Sequence, residues 1–453
     1  MNTPINSKYK NKKFGIYGLG KTGISAIQFL QEIATEIYAW DDNIKNLNKI
    51  KEQFLNVIFS WKIELWQELD YIITSPGLPQ NHPHKHKVYI IAKKNKIPLL
   101  SDVDLLLEHK KRSFFIAVTG SNGKSTTVSL IDHIFKYNSK SSCVAGNIGK
   151  ASLNKDIVHN NIENYILELS SFQLEMLSKS TFFDIGVILN ITPDHNERYL
   201  TFDDYFNAKA LLIRHTSKLM IINIDYPYTF KLFNKLKKSP VKFQLLPISL
   251  NKVLSVGLSL INGVIYKNGI KLNISINLLK TDLHNENILA SFAICQYSRV
   301  HYFLDCVYSF KGLPHRLEII YKDTNLMIVN DSKATNTAAT SIALKKFRKI
   351  HWIAGGVFKE NNLEALAQFL QNIEHSYFIG QDSEKFVNFS KKKSLPYTNC
   401  QNLSAALDMI KSRVTNGTIL LSPACASFDQ WKDFTARGNE FKKLALQKFN
   451  VVS

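Results

Sequence analysis

The most specific chemistry in the sequence sits in ten consecutive residues, Ala117-Val118-Thr119-Gly120-Ser121-Asn122-Gly123-Lys124-Ser125-Thr126. The pattern predicts a short buried strand over Phe114 to Thr119 and a tight loop over Gly120 to Gly123. A helix is predicted from Ser125 onward, with Val128, Ile131 and Phe135 on one face. Strand, glycine loop and helix start together gather backbone N–H groups and the positive end of a helix dipole around a phosphate. In that arrangement Lys124 reaches the terminal phosphates and the Ser125 hydroxyl ligates magnesium. Val118 stands where the longer form of this motif has its first glycine, so the match is to the shorter Gly-x-x-Gly-Lys-Ser-Thr form. A nucleoside triphosphate site is the chemistry implied.

Other residues gain interest from their places at strand ends. Glu168 closes a strand over Tyr165 to Leu169, ahead of Ser170-Ser171-Phe172-Gln173-Leu174, and an acid there is placed for a metal ion. A strand over Ile185 to Asn190 runs into Asp194-His195, and the next helix carries Tyr205, Ala208, Lys209 and Leu212 on adjacent turns. His195 and Lys209 alone would be ordinary. Nearer the N-terminus, Gly18-Leu-Gly20-Lys-Thr22-Gly23 precedes a helical pattern. The second strand, Glu36 to Trp40, ends in Asp41-Asp42, at the spacing where a dinucleotide fold places its ribose-binding acid. That motif raises the alternative of an NAD-binding module. A third strand, Tyr71 to Ile73, leads into Thr74-Ser75-Pro76-Gly77, and Gly146-Asn147-Ile148-Gly149 is a further glycine-flanked turn.

These groups need elements to hold them. At 453 residues the chain is too long for one core, and about three domains is the natural expectation. Alternating strands and helices predict an α/β protein with parallel sheets. The first domain, 1–106, is Rossmann-like; the central domain, 107–312, is of the P-loop ATPase type; the third, 313–453, is again a Rossmann-like parallel-sheet domain. Residues 226–280 read as strands and turns without chemistry. Strands over Leu326 to Val329, Ile350 to Ala354, Tyr377 to Ile379 and Ile419 to Leu421 each lead into polar or glycine turns.

Lys+Arg 57 against Asp+Glu 37 gives a net charge of +20. The lysines are scattered, with only short clusters such as Lys391-Lys392-Lys393, and no nucleic-acid motif accompanies them. The surplus therefore reads as a solvated surface whose field also serves anionic small substrates, with no nucleic-acid partner expected. Five cysteines without a C-x-x-C pair argue for free thiols in a reducing compartment and against a zinc site. No run approaches the roughly 20 apolar residues of a membrane span, so a cytoplasmic protein is expected.

Taken together, Val118 to Thr126, Glu168 to Leu174, Asp194-His195, Gly312 to Glu318, Asn330 to Asn336 and Ser422 to Phe441 resemble the Mur ligases of peptidoglycan synthesis, and within them the branch that adds D-glutamate. The resemblance covers the whole chain. It implies an ATP-dependent ligase joining D-glutamate to UDP-N-acetylmuramoyl-L-alanine through an acyl phosphate, acting as a monomer. It further implies that Thr22, Asp42, Asn43, Ser75, Gly77 and Asn147 face the UDP-sugar. ATP would meet Gly120, Ser121, Asn122, Gly123, Lys124, Ser125, Thr126, Asn287, Arg316 and Asp331. Two magnesium ions would be held by Ser125, Glu168, His195 and Lys209, the last as a carbamate; Lys124, Glu168, His195 and Lys209 form the catalytic set. D-glutamate would be held by Lys333, Thr335, Lys359, Ser427 and Phe434. A free Lys209 ammonium beside magnesium would be repelled by several kcal/mol, whereas a carbamate is an anionic oxygen ligand. Two departures stand out: the His-Asn-x-x-Asn pattern is one residue shorter over His284 to Asn287, and Val357 stands after Gly355-Gly356 where an acid is common. Another Mur-type or folylpolyglutamate-type ligase is the neighbouring alternative.

Overall fold

A computed structural model describes residues 7–81, 84–193, 198–277, 283–359 and 362–450. The chain divides into two compact units, residues 1–310 and 311–453. The first unit contains two sheets. Its N-terminal sheet comprises β1 (Lys13–Tyr17), β2 (Glu36–Trp40), β3 (Ile58–Phe59), β4 (Tyr71–Thr74) and β5 (Leu99–Leu100), all parallel, in the order β3-β2-β1-β4-β5. The order reverses direction between β1 and β4, and an open parallel sheet binds ligands beyond its carboxyl ends at such a switch point.

The two turns at that point come very close. Gly18 has φ +94°, and a Cβ there would lie 2.5 Å from Cβ of Ser75. A Cβ on Gly23 would lie 2.1 Å from the Gly18 carbonyl oxygen, so the helix Lys21–Leu30 starts directly against the turn.

The helix Asp102–His109 joins this sheet to the next. Ser101 and Asp104 close a capping box at its start, which satisfies two otherwise orphaned backbone donors. Asp104 also accepts from Ser178 N at 3.1 Å and from the Thr181 hydroxyl. Burial raises its carboxyl above the usual range, against the pull of the Thr181 and Ser101 hydrogen bonds.

The second sheet has nine strands: β6 (Phe114–Thr119), β7 (Ser142–Gly146), β8 (Asn164–Glu168), β9 (Phe183–Ile188), β10 (Thr216–Asn223), β11 (Gln244–Ser249), β12 (Leu258–Ile261), β13 (Val264–Lys267) and β14 (Ile270–Ser275). Their order is β14-β13-β12-β11-β10-β9-β6-β8-β7, parallel as far as β12 and antiparallel through β13 and β14. Ile116, Ala117 and Val118 of β6 are fully buried; Ile116 and Val118 pack with Val128, Leu130, Ile131, Ile134 and Phe135 of the helix Lys124–Tyr137, while Ala117 joins the core on the opposite face.

The strand-and-turn expectation for 226–280 needs correction at its start, where Pro227–Lys237 is a helix. Pro227 occupies the first turn, where its missing N–H costs nothing, and Leu232 and Leu236 bury one face. Lysines on the other face obscure the period in the sequence.

In the second unit β15 (Glu318–Lys322), β16 (Leu326–Asn330), β17 (Ile350–Gly355), β18 (Ile373–Ile379), β19 (Tyr397–Gln401) and β20 (Gly417–Leu421) run in the order β15-β16-β20-β17-β18-β19. All are parallel except β15, which pairs antiparallel with β16. The five cysteines are free thiols. Among the described residues no helix is long and apolar enough to cross a membrane.

The Gly23–Gly18 contact gives a direct test. Gly23→Ala forces a side chain into backbone and is expected to lower stability by about 1–3 kcal/mol, read as a fall in the urea midpoint.

Candidate functional site

The loop after β6 is built as a cradle. Gly123, at φ +83°, precedes the helix Lys124–Tyr137 and contributes no side-chain cap, so the first-turn N–H groups point toward whatever the loop encloses. A Cβ on Gly123 would lie 2.7 Å from Oδ1 of Asn287, which places Asn287 against the loop; the Thr127 hydroxyl donates to the same oxygen at 3.3 Å. Ser125 and Thr126 are buried.

Two ammonium groups meet at this loop. Lys124 Nζ donates to the carbonyl oxygens of Gly120 at 2.7 Å and Ser121 at 2.9 Å. Lys209 belongs to the helix Phe202–Ala210, is only 2% exposed, and donates to the same Gly120 oxygen at 2.8 Å. Its Nζ lies 4.7 Å from the ring centroid of Tyr205. Two cations about 5 Å apart at an effective dielectric near 20 repel by about 3 kcal/mol.

Glu168 ends the strand next to β6. Val118 and Glu168 are partners across β6 and β8, so strand register brings the acid level with the start of the cradle. It is 3% exposed. Asn147 donates to its Oε1 at 3.2 Å and, through the backbone, to its carbonyl at 2.9 Å. Among the described residues Oε2 has no hydrogen-bond partner. A buried carboxylate oxygen left bare is costly, and oxygen donors such as Glu168 and Ser125 suit a hard divalent cation. Among the described residues no three His, Cys, Asp or Glu side chains gather as a metal cluster; His195 and Asp194 lie outside the described residues.

Several residues that shape the cradle carry no sequence signal. Asn190, just past β9, accepts from Asn122 N at 2.8 Å and donates to Asn122 O at 3.1 Å. The Ser121 hydroxyl donates to Thr192 O at 2.9 Å and lies 3.1 Å from the Tyr205 hydroxyl. Arg198 donates to the carbonyls of Gly77 at 2.9 Å and Leu78 at 2.6 Å, and its guanidinium carbon sits 4.6 Å from the Phe172 ring centroid. It thus fixes the turn after β4.

At the switch point of the first sheet, Thr22 opens the helix Lys21–Leu30, and Ser75 and Gly77 form the facing turn. Asp42 accepts from the Tyr17 hydroxyl at 2.7 Å, with His86 at 3.1 Å and Lys87 at 3.4 Å. Burial alone would raise its carboxyl, but the Tyr17 and His86 bonds and the Lys87 charge bring it below the usual range. The Asn43 side chain caps the helix Ile44–Lys51. Asp41, at the ribose-binding position of a dinucleotide fold, instead accepts from Leu19 N at 2.6 Å and Asn46 Nδ2 at 3.1 Å. That acid holds the glycine turn, which weighs against the NAD alternative.

In the second unit, Arg437 is the organising group, again without a sequence signal of its own. Fully buried, it donates through Nε to the Ser332 hydroxyl at 3.0 Å and through one terminal nitrogen to Ser332 O at 2.8 Å and Cys425 O at 3.0 Å. This ties the loop after β16 to the loop after β20, and the Ser332 hydroxyl donates to Phe434 O at 2.8 Å. Lys333 Nζ lies 5.2 Å from the Phe434 ring centroid, and Lys359 Nζ lies 5.7 Å from that of Phe428. Val357 exchanges two backbone hydrogen bonds with Ala426. Asp331 accepts from Ser422 Oγ at 2.8 Å and Leu317 N at 3.1 Å; burial, opposed by these bonds and by Arg316, pushes its carboxyl up to about 7. Arg316 lies between His315 and Leu317, both at positive φ.

Comparisons with known proteins agree with one another. The profile for the Mur ligase middle domain matches residues 118–295, and that for the MurD-like N-terminal domain matches 12–95. The chain is 39% identical over 448 residues to the UDP-N-acetylmuramoylalanine--D-glutamate ligase of Rickettsia prowazekii (strain Madrid E), covering 96% of this chain and 98% of that one. It is 34% identical over 495 residues to the ligase of the same name from Wolbachia sp. subsp. Brugia malayi (strain TRS), covering 97% of each. Among solved structures, MurF ligase from Thermotoga maritima in complex with ADP aligns with TM-score 0.60 at 16% identity over 98% of this chain and 99% of that one. UDP-N-acetylmuramate-alanine ligase MurC from the same organism aligns with TM-score 0.56 at 18% identity, over 96% and 99%. At such identities the structural matches establish the fold.

Arg198 offers a test of how the turn after β4 is held. Arg198→Ala is expected to lower stability by about 1.5–3 kcal/mol, the range for charged hydrogen bonds. Arg198→Lys should not restore it, because a single ammonium lacks the fork that spans two carbonyls; denaturant titration reads both.

Proposed function

The chain belongs to the Mur ligase family, and from that premise we propose that it joins D-glutamate to UDP-N-acetylmuramoyl-L-alanine with ATP, in peptidoglycan synthesis in the cytoplasm. The observation that carries this reading is the convergence of Lys124 and Lys209 on Gly120 O, with Glu168, whose Oε2 has no hydrogen-bond partner among the described residues, level with Val118 at the end of the neighbouring strand. Such a site favours a polyphosphate and a cation together. The near-full-length relationship to D-glutamate ligases supports the choice of amino acid.

The chemistry follows from what an amide bond needs in water. A carboxylate oxygen of the L-alanyl end attacks the γ-phosphorus of ATP, giving an acyl phosphate and ADP. The D-glutamate amine then attacks the acyl carbon, the C–O bond to phosphate breaks, and inorganic phosphate leaves. Phosphoryl transfer is governed by positioning and by charge stabilisation. In this reading the N–H groups of Gly120 to Thr126 cradle the phosphates and Lys124 neutralises the charge that develops. Asn287, Arg316 and Asp331 complete the ATP site.

Ser125, Glu168, His195 and Lys209 would hold two magnesium ions, which supply Lewis-acid neutralisation of phosphate oxygens when bound. Lys209 serves as a carbamate: its ammonium loses one proton to give the amine, Nζ adds to the carbon of carbon dioxide, and a second proton leaves nitrogen, so that repulsion between two ammonium groups becomes attraction. Thr22, Asp42, Asn43, Ser75, Gly77 and Asn147 take the UDP-sugar; Lys333, Thr335, Lys359, Ser427 and Phe434 take D-glutamate. The division of labour follows domains 1–106, 107–312 and 313–453, in a monomer.

The decisive assay is ADP and phosphate release that depends on both co-substrates; release with L-glutamate but not with the D form would overturn the assignment and point to a related ligase. Lys209→Ala is expected to slow turnover at least about a hundredfold, the scale of losing a preorganised charge, with partial recovery on adding small carboxylates. Full activity in the unsupplemented variant would remove the carbamate from the scheme.

A further inference from the structure

The backbone of Asn122, in the phosphate loop, is held at both its N–H and its carbonyl by one side-chain amide. Asn190 Oδ1 takes its N–H at 2.8 Å and Asn190 Nδ2 gives to its carbonyl at 3.1 Å. An amide's oxygen and nitrogen have nearly the same size, so shape alone does not choose between this orientation and its flip. The flip would set N–H against N–H and oxygen against oxygen, and the grip would be lost. A third group makes the choice.

That group is Glu286, in the first turn of the helix Asn285–Tyr297 and 9% exposed. Its Oε2 accepts the second hydrogen of Asn190 Nδ2 at 2.8 Å, and its Oε1 accepts from Asn223 Nδ2 at 2.6 Å. Asn223 is itself held, its Oδ1 accepting from Asp225 N at 3.0 Å. A carboxylate offers only acceptors, so both neighbouring amides must turn their nitrogens toward it. A carboxylate is also favoured at a helix start. The next residue, Asn287, lies against Gly123, so one helical turn addresses the loop at two consecutive residues.

We propose that Glu286 is a positioning residue for the triphosphate, acting through Asn190 to hold the Asn122 peptide in the orientation that the phosphate cradle requires. The inference rests on reading 120–126 as the ATP site. Burial pushes the Glu286 carboxyl up to about 7, opposed by the Asn223 and Asn190 amides and reinforced by the charge of Asp225, so the acceptor-only form that orients both amides prevails above that pH; Tyr226 also faces it. Glu286→Gln keeps the volume but brings in a donor, so that either Asn190 or Asn223 must give up its bond.

The test is calorimetric titration of magnesium-ATP into the full chain as wild type, Glu286→Gln, Asn190→Ala and the double variant, with melting curves for each. Glu286→Gln is expected to weaken ATP binding about tenfold, on the scale of one charged hydrogen bond, while its KM for D-glutamate stays close to wild type and its melting temperature falls by only a few degrees, about the cost of one lost buried bond. In the Asn190→Ala background the same substitution should cost nothing more. Wild-type affinity in Glu286→Gln, or an undiminished tenfold loss in the absence of the Asn190 amide, overturns the proposal. Should Glu286→Gln fail to fold, Asn190→Ala alone must weaken ATP by a similar factor, and unchanged affinity overturns it. A wild-type protein that binds no ATP would instead bring down the reading of the loop itself.

Discussion

One peptide oxygen, that of Gly120, draws two lysine side chains onto itself, one from four residues on and one from eighty-nine. Neither cation is there to stabilise the fold, since like charges so close oppose it. The surroundings hold them there. Lys209 is delivered by a helix whose start is capped by Thr201 and Asp204 and whose Tyr205 packs against it. Lys124 is delivered by the glycine turn. Under the proposed function, phosphate oxygens and a divalent cation would meet these two ammonium groups, and carbamate formation would reverse the charge of one of them.

The same geometric device recurs in each sheet. The side chains given roles under the proposed function stand at or just past the carboxyl ends of parallel strands: after β1 and β4 in the first sheet, at the end of β8 and after β6 and β9 in the second, after β16 and β20 in the third. Parallel strands set their ends level, so residues remote in sequence become neighbours through register alone. Val118 opposite Glu168 is the clearest case. Glycine appears where backbone must pass close to backbone, as Gly18 does beside Ser75.

Much of this was legible in the sequence because the signals were local. Buried apolar runs such as Ile116 to Val118 marked strands, and the glycines between them and the next apolar period marked the cradle. The helix Pro227–Lys237 escaped because charge on its open face outweighs three or four buried positions. The turns at Asn262-Gly263 and Asn268-Gly269, with positive φ throughout, are the usual hairpin signal, though they bear on the edge of the sheet and not on chemistry. Asn190, Arg198, Glu286 and Arg437 left no trace for a different reason. Each acts by hydrogen bonds to residues tens or hundreds of positions away, and a polar residue at a strand end or helix start looks the same whether or not it has such partners. The buried Arg437 was quoted within a recognised motif, yet its role as a tie between two loops depends on where those loops fold.

The linker helix Asp102–His109 has a thermal implication. Because Asp104 serves the helix that leaves the five-stranded sheet and also the chain entering β9, heat cannot strip one sheet while leaving the acid's other bonds in place. The five-stranded and nine-stranded sheets should therefore lose their order in a single calorimetric peak, with residues 311–453, a compact unit with its own core, contributing a second.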